Sequence, residues 1–166
     1  MIREPARLRL GLLLGLLILV LDQASKWWVL EVLRLPELRR VVVTENFNLT
    51  MVWNRGVTFG LLASDFWWKP WLLGGLALAV AGFLLVWLSR AESRLVAIGL
   101  GGVIGGAVGN VIDRARFGAV VDFLDFHAFG FHWYAFNVAD AAIVCGVGML
   151  MLDALIRPSP EAKQSP

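Results

Sequence analysis

Four long apolar stretches constrain the fold of this chain more than any other feature. The clearest runs from Pro70 to Ser89 and contains twenty residues without a charged side chain. A helix of about 20 residues crosses the roughly 30 Å of hydrocarbon in a bilayer. Comparable stretches at about 8–30, 95–112 and 134–155 predict three more spanning helices. Because 58% of the residues are apolar and only 17% charged, we expect one polytopic membrane domain over 1–166.

The two longer connections are polar enough to lie outside the hydrocarbon. They cover about 31–69 and 113–133, and the first contains a period-two alternation of apolar and polar side chains, which predicts a half-buried strand. The apolar members of this pattern are Phe47, Leu49, Met51 and Trp53. A second strand at Val41–Val43 would complete a small sheet. The predicted fold class is therefore an all-α membrane protein with four transmembrane helices and a small extracytoplasmic β-sheet.

The second connection contains an acid between apolar neighbours. Asp122 follows two valines and precedes Phe123, which favours a position in the membrane interface, where partial burial raises the pKa of a carboxyl. His127 and His132 suggest a metal site with Asp122 or Asp125, but their five-residue separation does not place two imidazoles on one helical face. We therefore expect no metal and no cofactor. The proline-containing tail, 157–166, is expected to be disordered.

The basic residues predict the orientation of the chain in the membrane. With four spans both termini lie on one side, and each side then carries seven lysines and arginines. Those on the terminal side lie in shorter segments, so their density near the helix ends predicts cytoplasmic termini. The basic residues form no stripe along the sequence, which argues against nucleic acid as a partner despite the net charge of +2.

The alternating direction of the spans, which we call chain parity, places their polar residues in one leaflet. Odd-numbered spans end on the side where even-numbered spans begin, so the end of the first, the end of the third and the start of the fourth share one leaflet. The polar residues at these three places are Asp22, Lys26, Asn110, Asp113, Arg114, Asn137 and Asp140. A charged group within the hydrocarbon costs about 2.5–3.5 kcal/mol on insertion scales, so such groups usually face a bundle interior and mark function.

Most of these residues also have a purely structural interpretation. Asp22 and Lys26 are four residues apart, the spacing of a helical ion pair, and the glycines of the third span are spaced for close helix packing. Asp113 and Arg114 fit a surface ion pair or a helix cap as well as they fit catalysis. Asp140 is the exception, because no basic residue lies within two helical turns of it in the sequence.

Two further functions compete with a catalytic site at this stage. A small proton- or ion-coupled transporter would use Asp140 and Asp22 as a relay, but the opposite leaflet offers no acid until Asp153 at its far end. A scaffold built on the glycine-rich third span would leave Asp140 without a role. Cys145 has no base near it in the sequence and is a poor candidate nucleophile.

Five short motifs resemble those of one known family and cover most of the chain from residue 22 to residue 140. They are Asp22-Gln23-Ala24-Ser25-Lys26, Asn54-Arg55-Gly56-Val57-Thr58-Phe59, Gly105-Gly106-Ala107-Val108-Gly109-Asn110-Val111-Ile112-Asp113-Arg114, Val120-Val121-Asp122-Phe123 and Phe136-Asn137-Val138-Ala139-Asp140. The motifs, their order along the chain and the four spans resemble those of lipoprotein signal peptidase (signal peptidase II), a family of intramembrane aspartic proteases. Val57-Thr58 departs from the pattern, since the family more often has two alanines there.

The resemblance implies a reaction and a set of site residues. It implies that Asp122 and Asp140 are the catalytic pair, that Asp22 and Lys26 support the fold beside them, and that five residues shape or bind the substrate pocket. Those five are Asn54, Gly56, Asn110, Arg114 and Asn137. The implied substrates are bacterial prolipoproteins carrying diacylglycerol, which are cut just before the lipidated cysteine. The implied enzyme is a monomer of the inner membrane, contacts membrane lipids, and opens its site near the outer face.

Overall fold

Four long helices dominate the computed structural model, which describes residues 5–56, 67–129 and 131–156 and, for His132, the backbone alone. They are α1 (Pro5–Trp27, continued by a π-helical turn, Trp28–Val32), α3 (Lys69–Leu88), α4 (Arg94–Phe117) and α5 (Val138–Ile156); α2 is a short helix (Leu35–Leu38). Each long helix is long and apolar enough to cross a membrane. The predicted set of four spans is therefore confirmed. The tail 157–166 and the motif residues Val57–Phe59 lie outside the described residues.

Helix α4 is the central helix of the bundle. Inside the protein, 61% of its apolar stretch is buried, against 17–22% for the other three helices. Glycines allow this burial, because Gly101 and Gly105 lie so close to α1 that a Cβ on either would overlap the carbonyl oxygen of Gly11 or Gly15. The predicted packing role of the glycine spacing is confirmed for this pair of helices.

Two helix boundaries differ from the predicted ones for identifiable reasons. Helix α4 runs past Ile112 to Phe117 and ends where Gly118, at φ 69°, donates its N–H to the Arg114 carbonyl (3.0 Å). The charge of Asp113 does not end the helix, because that carboxylate is paired inside the protein. Helix α5 begins at Val138 rather than near 134, because the backbone of Phe136 is bonded to strand residue Leu124 instead (3.1 Å).

A small antiparallel sheet lies at one end of the bundle. Its strands are β1 (Arg40–Thr44), β2 (Phe47–Asn54), β3 (Val120–Ala128) and the two-residue β4 (Phe131–His132), arranged in that order. The two predicted strands are confirmed as β1 and β2, whereas β3 was missed. All four residues from Val120 to Phe123 are buried, so this part of β3 lacks the alternation that identifies a half-exposed strand.

The sheet is fixed to the bundle by a compact apolar cluster. Val29, in the turn after α1, and Leu35 of α2 pack against Val121 and Phe123 of β3. Only Gly118 and Ala119 separate the end of α4 from the start of β3. Asp122, between Val121 and Phe123, is therefore held at the end of the helix bundle.

Candidate active site

Asp122 is a buried carboxylate with two amide donors. Its side chain is 1% exposed and accepts hydrogen bonds from Asn137 Nδ2 (2.7 Å) and Asn54 Nδ2 (2.9 Å). The pKa of Asp122 is raised to about 6, mainly by burial and also by the charge of Asp140, while the hydrogen bonds from Asn54 and Asn137 lower it. Asp122 can therefore exchange a proton near neutral pH.

A β-bulge in β2 brings Asn54 to this carboxylate. Leu49 pairs with Leu124, but Val52 pairs with Asp122 and Asn54 with Val120, so β2 carries one extra residue between the two registers. With no extra residue Asn54 would point to the opposite face of the sheet from Asp122. The bulge therefore places the donor on the face where it is needed.

The Asn54 amide is itself held by the turn that follows β2. Its Oδ1 accepts the N–H of Gly56 (2.9 Å), which leaves Nδ2 to donate to Asp122. Gly56 has φ 78°, and a Cβ there would come within 2.5 Å of Leu73 Cδ1. The positive φ favours glycine at this position, and any larger residue would also have to displace the Leu73 methyl group.

Asp140 and Asn137 form the cap at the start of α5. The Asp140 N–H donates to Asn137 Oδ1 (2.9 Å), and the Asn137 N–H donates to Asp140 Oδ2 (3.3 Å), which is the reciprocal arrangement of a capping box. Because Asn137 Nδ2 also donates to Asp122, one asparagine links the two acids that the resemblance pairs. Asn110 completes the link, since its Nδ2 donates to Asp140 Oδ1 (2.8 Å).

A buried lysine organises the other side of this network. Lys26 Nζ lies 2.8 Å from Asp22 Oδ2 and 2.7 Å from Asp113 Oδ2, and it donates to Asn110 Oδ1 (3.2 Å). All three charged side chains are at most 2% exposed. The predicted Asp22–Lys26 ion pair is confirmed, and it is extended by Asp113, which lies inside the protein rather than at its surface.

The two buried acids also contact backbone N–H groups of neighbouring elements. Asp22 Oδ1 accepts from Ala139 in the first turn of α5 (3.0 Å), and Asp113 Oδ2 accepts from Val121 of β3 (3.0 Å). The carboxylate of Asp22 needs the space beside Gly109, because a Cβ there would overlap its Oδ2. These two contacts join α1, α4, α5 and β3 around the site.

A cavity of about 540 Å³ opens beside Asp122. Asn54 and Gly56 line it, as does Tyr134, which the sequence analysis did not select. Its other lining residues are Val52, Trp53, Arg55 and Ala135. Arg114 is half-buried nearby, donates to the Asn110 carbonyl (3.2 Å), and its charge interacts with Asp140 and Asp122. The volume is within the range of ligand-binding pockets in proteins.

The structure brings together all of the predicted site residues, though at different distances from the cavity. Asn110 and Asn137 are buried behind the acids, whereas Asn54 and Gly56 line the cavity. His127 is placed elsewhere, with its Nδ1 3.2 Å from Asn48 Nδ2 in the sheet. Within the described part of the chain no group of three or more His, Cys, Asp or Glu side chains is arranged to hold a metal.

Gln23 was missed in the sequence analysis although it lies in the first motif. Its Nε2 donates to both Asp22 Oδ2 (3.1 Å) and Asp113 Oδ1 (3.1 Å), so it bridges the two acids that flank Lys26. The signal that was available is its position in an apolar helix, directly beside a buried acid. A neutral amide in such a place needs a polar partner of its own.

A polytopic membrane protein in which shared amides hold two aspartates at the end of the bundle has the features of an intramembrane aspartic protease. The family model described as signal peptidase (SPase) II matches residues 14–156. The chain belongs to the signal peptidase II family, and it is accordingly a membrane aspartic endopeptidase of that type.

Individual relatives agree with this assignment, and a solved structure shares the fold. The chain is 47% identical to the lipoprotein signal peptidase of Methylobacterium sp. (strain 4-46) over 88% of each chain, and 48% identical to that of Methylorubrum extorquens (strain PA1) over 93% and 90%. A solved bacterial membrane enzyme superposes with a TM-score of 0.75 at 23% identity, over 94% of this chain and 93% of the other. The transporter alternative finds no support among them.

Proposed function

We propose that this protein removes the signal peptide from diacylglyceryl-modified prolipoproteins, with Asp122 and Asp140 as the catalytic pair. The observation that carries the proposal is the Asn137 side chain, which donates to Asp122 through Nδ2 and caps Asp140 through Oδ1. The cleaved bond is the one just before the lipidated cysteine, as in the family that the chain belongs to.

The two carboxyls act as a coupled acid and base. Close carboxyls do not both ionise cheaply, so the pair shares a proton and titrates as a unit. The ionised member takes a proton from a water molecule, and the oxygen of that water attacks the scissile carbonyl carbon. At the same time the protonated member donates its proton to the carbonyl oxygen. The resulting gem-diol collapses, the C–N bond breaks, and the leaving amine takes a proton from the pair. No metal and no covalent enzyme intermediate enters these steps.

The remaining site residues divide into two roles under this proposal. Asn54 and Gly56 line the cavity and would face the substrate backbone, together with the charge of Arg114 at the rim. Asn110 and Asn137 are positioning residues, because their amides contact the acids and they are almost completely buried. Asp22 and Lys26 hold the ends of α1, α4 and α5 together behind the acids.

The proposed location is the bacterial inner membrane, with cytoplasmic termini and the site and sheet near the outer face. The greater density of basic residues in the short terminal-side segments supports this orientation. Both acids lie at one end of the apolar helices, where a substrate held in the bilayer by its acyl chains reaches them without leaving the lipid. A monomer suffices, because all the residues of the proposed site come from one chain.

The test is cleavage of a lipidated precursor by variants in which one carboxyl becomes an amide. Asp122→Asn and Asp140→Asn are each expected to leave precursor uncleaved, seen as accumulation of the larger species on a gel. Asp125→Asn, on the same strand, is the matched control: Asn48 and Thr50 both donate to Asp125 Oδ2, and an asparagine retains one oxygen to accept them. Normal processing by either of the first two variants would exclude this pair.

A further inference from the structure

The aromatic end of the β3–β4 hairpin is an exposed apolar surface that the proposed mechanism does not use. Residues 126–136 contain six aromatic side chains and no Asp, Glu, Lys or Arg. Phe129 at the tip is fully exposed, and Phe131 and Trp133 are 82% and 74% exposed. Phe131 and Trp133, together with Phe126 and Phe136, border a cavity of about 800 Å³. So much exposed aromatic surface on one hairpin indicates contact with something other than water.

The base of this hairpin is packed and hydrogen-bonded. Phe126 stacks on Phe47 of β2 with ring centroids 4.6 Å apart and on Phe136 at 5.9 Å. Backbone hydrogen bonds join Leu124 to Phe136 in both directions (2.9 and 3.1 Å). The exposed aromatic residues therefore extend from a part of the sheet that ring stacking and backbone hydrogen bonds hold in place.

The tip adopts a conformation that its residue type disfavours. Phe129 has φ 52°, in the left-handed region where bulky side chains are rare and cost on the order of 1 kcal/mol or more. No contact inside the protein accounts for an aromatic residue there, because the side chain is fully exposed. A favourable environment outside the protein would offset this cost.

We propose that the tip of the β3–β4 hairpin inserts into the headgroup region of the leaflet on the side of the active site. The hairpin leads directly into a spanning helix, because the exposed Trp133 and Tyr134 lie only a few residues before the first turn of α5. Trp and Tyr favour the headgroup level, and an uncharged aromatic segment binds there without the cost of burying a charge. The occupant of this surface is therefore lipid.

The backbone limits how deep the tip goes. Strand β4 is an edge of the sheet, and unpaired N–H and C=O groups are not tolerated in hydrocarbon. The hairpin is accordingly placed at headgroup depth, where water satisfies those groups. Anchored there, β3 would keep Asp122 and the cavity at a fixed height relative to the membrane surface.

The test measures the depth of a single label in vesicles of phosphatidylethanolamine and phosphatidylglycerol. In a Cys145→Ser background, which removes the one native cysteine, Phe129→Cys carries a fluorescent label. Phe131→Cys is the second position on the same surface. The same label coupled to free cysteine in the aqueous phase is the aqueous reference, and Val144→Cys, on the outer surface of α5, is the lipid control.

Quenching by nitroxides attached to lipid headgroups is expected to be at least about twofold stronger at 129 and 131 than for the label on free cysteine, with weaker quenching by aqueous iodide. Aqueous quenching at 129 and 131 equal to that of the free label would overturn the proposal. So would protection from both quenchers, because the hairpin would then lie in the hydrocarbon or against a second copy of the chain and not among the headgroups. Circular dichroism of each labelled variant establishes that the helices are intact.

Discussion

At the scale of single residues, the orientation of each amide around the acids is fixed by a further contact. Lys26 Nζ and Asn137 Nδ2 both donate to Asn110 Oδ1, so Asn110 has only its Nδ2 left to donate to Asp140. The Lys26 charge thus fixes the orientation of the Asn110 amide, so that its Nδ2 and not its Oδ1 faces Asp140. We regard Lys26 as a positioning residue that acts through Asn110.

Replacing Lys26 tests this role, provided that the charge is balanced. Removing one partner of a buried ion pair typically costs 3–5 kcal/mol, so Lys26→Met is combined with Asp22→Asn and Asp113→Asn, which leaves neither carboxylate without its cation. We expect kcat to fall about tenfold or more, with KM for the precursor nearly unchanged, because Asn110 loses its fixed orientation. An unchanged kcat would contradict a positioning role.

The raised pKa of Asp122 predicts the pH dependence of activity and stability. A shift from 3.8 to about 6 means that the folded protein binds this proton more tightly than the unfolded chain. Its contribution of about 3 kcal/mol is therefore complete below pH about 4 and is lost as the pH rises through about 6. Thermal unfolding across this range should show a larger change for the wild type than for Asp122→Asn. In the free enzyme, kcat/KM should decline above pH about 6; equal unfolding profiles for both proteins would contradict the shift.

At the scale of elements, glycine contacts and one bulge set the geometry that the site needs. The spacing of glycines in the third span predicted close packing, because the pattern is local and the physical requirement is simple. The bulge between Leu49 and Val52 could not be predicted, since it depends on the register of β2 against a strand about 70 residues away. The donor role of Asn54 follows from that register alone.

Two glycine substitutions separate packing from helix propensity. Gly105→Ala places a methyl group against the Gly15 carbonyl, so we expect a destabilisation of roughly 1–3 kcal/mol. Gly148→Ala is the control, because a Cβ there meets nothing within 4 Å, and alanine should be neutral or stabilise the helix by up to about 1 kcal/mol. Thermal unfolding in detergent measures both. Equal effects of the two changes would show that the α1–α4 contact is not tightly packed.

At the scale of the whole molecule, the convergence of polar residues in one leaflet was predictable, but their pairing was not. Parity of the spans placed Asp22, Lys26, Asn110, Asn137 and Asp140 on one side, and the structure joins them in one hydrogen-bonded network. Parity carries no information about distances across helices. It therefore left the role of Asp113 undecided. The pairing of Asp122 with Asp140 came from the resemblance to a known family.

The central claim is that Asp122 and Asp140 perform the chemical step. It is tested most directly by single-turnover cleavage of a lipidated precursor in proteoliposomes, with precursor binding measured on the same samples. We predict that Asp140→Asn and Asp122→Asn lower the cleavage rate by at least about 10²–10⁴-fold while binding is retained. Asp153→Asn, at the opposite end of α5, should cleave at nearly the wild-type rate. Cleavage by Asp140→Asn or Asp122→Asn at a rate close to that of Asp153→Asn would contradict the account.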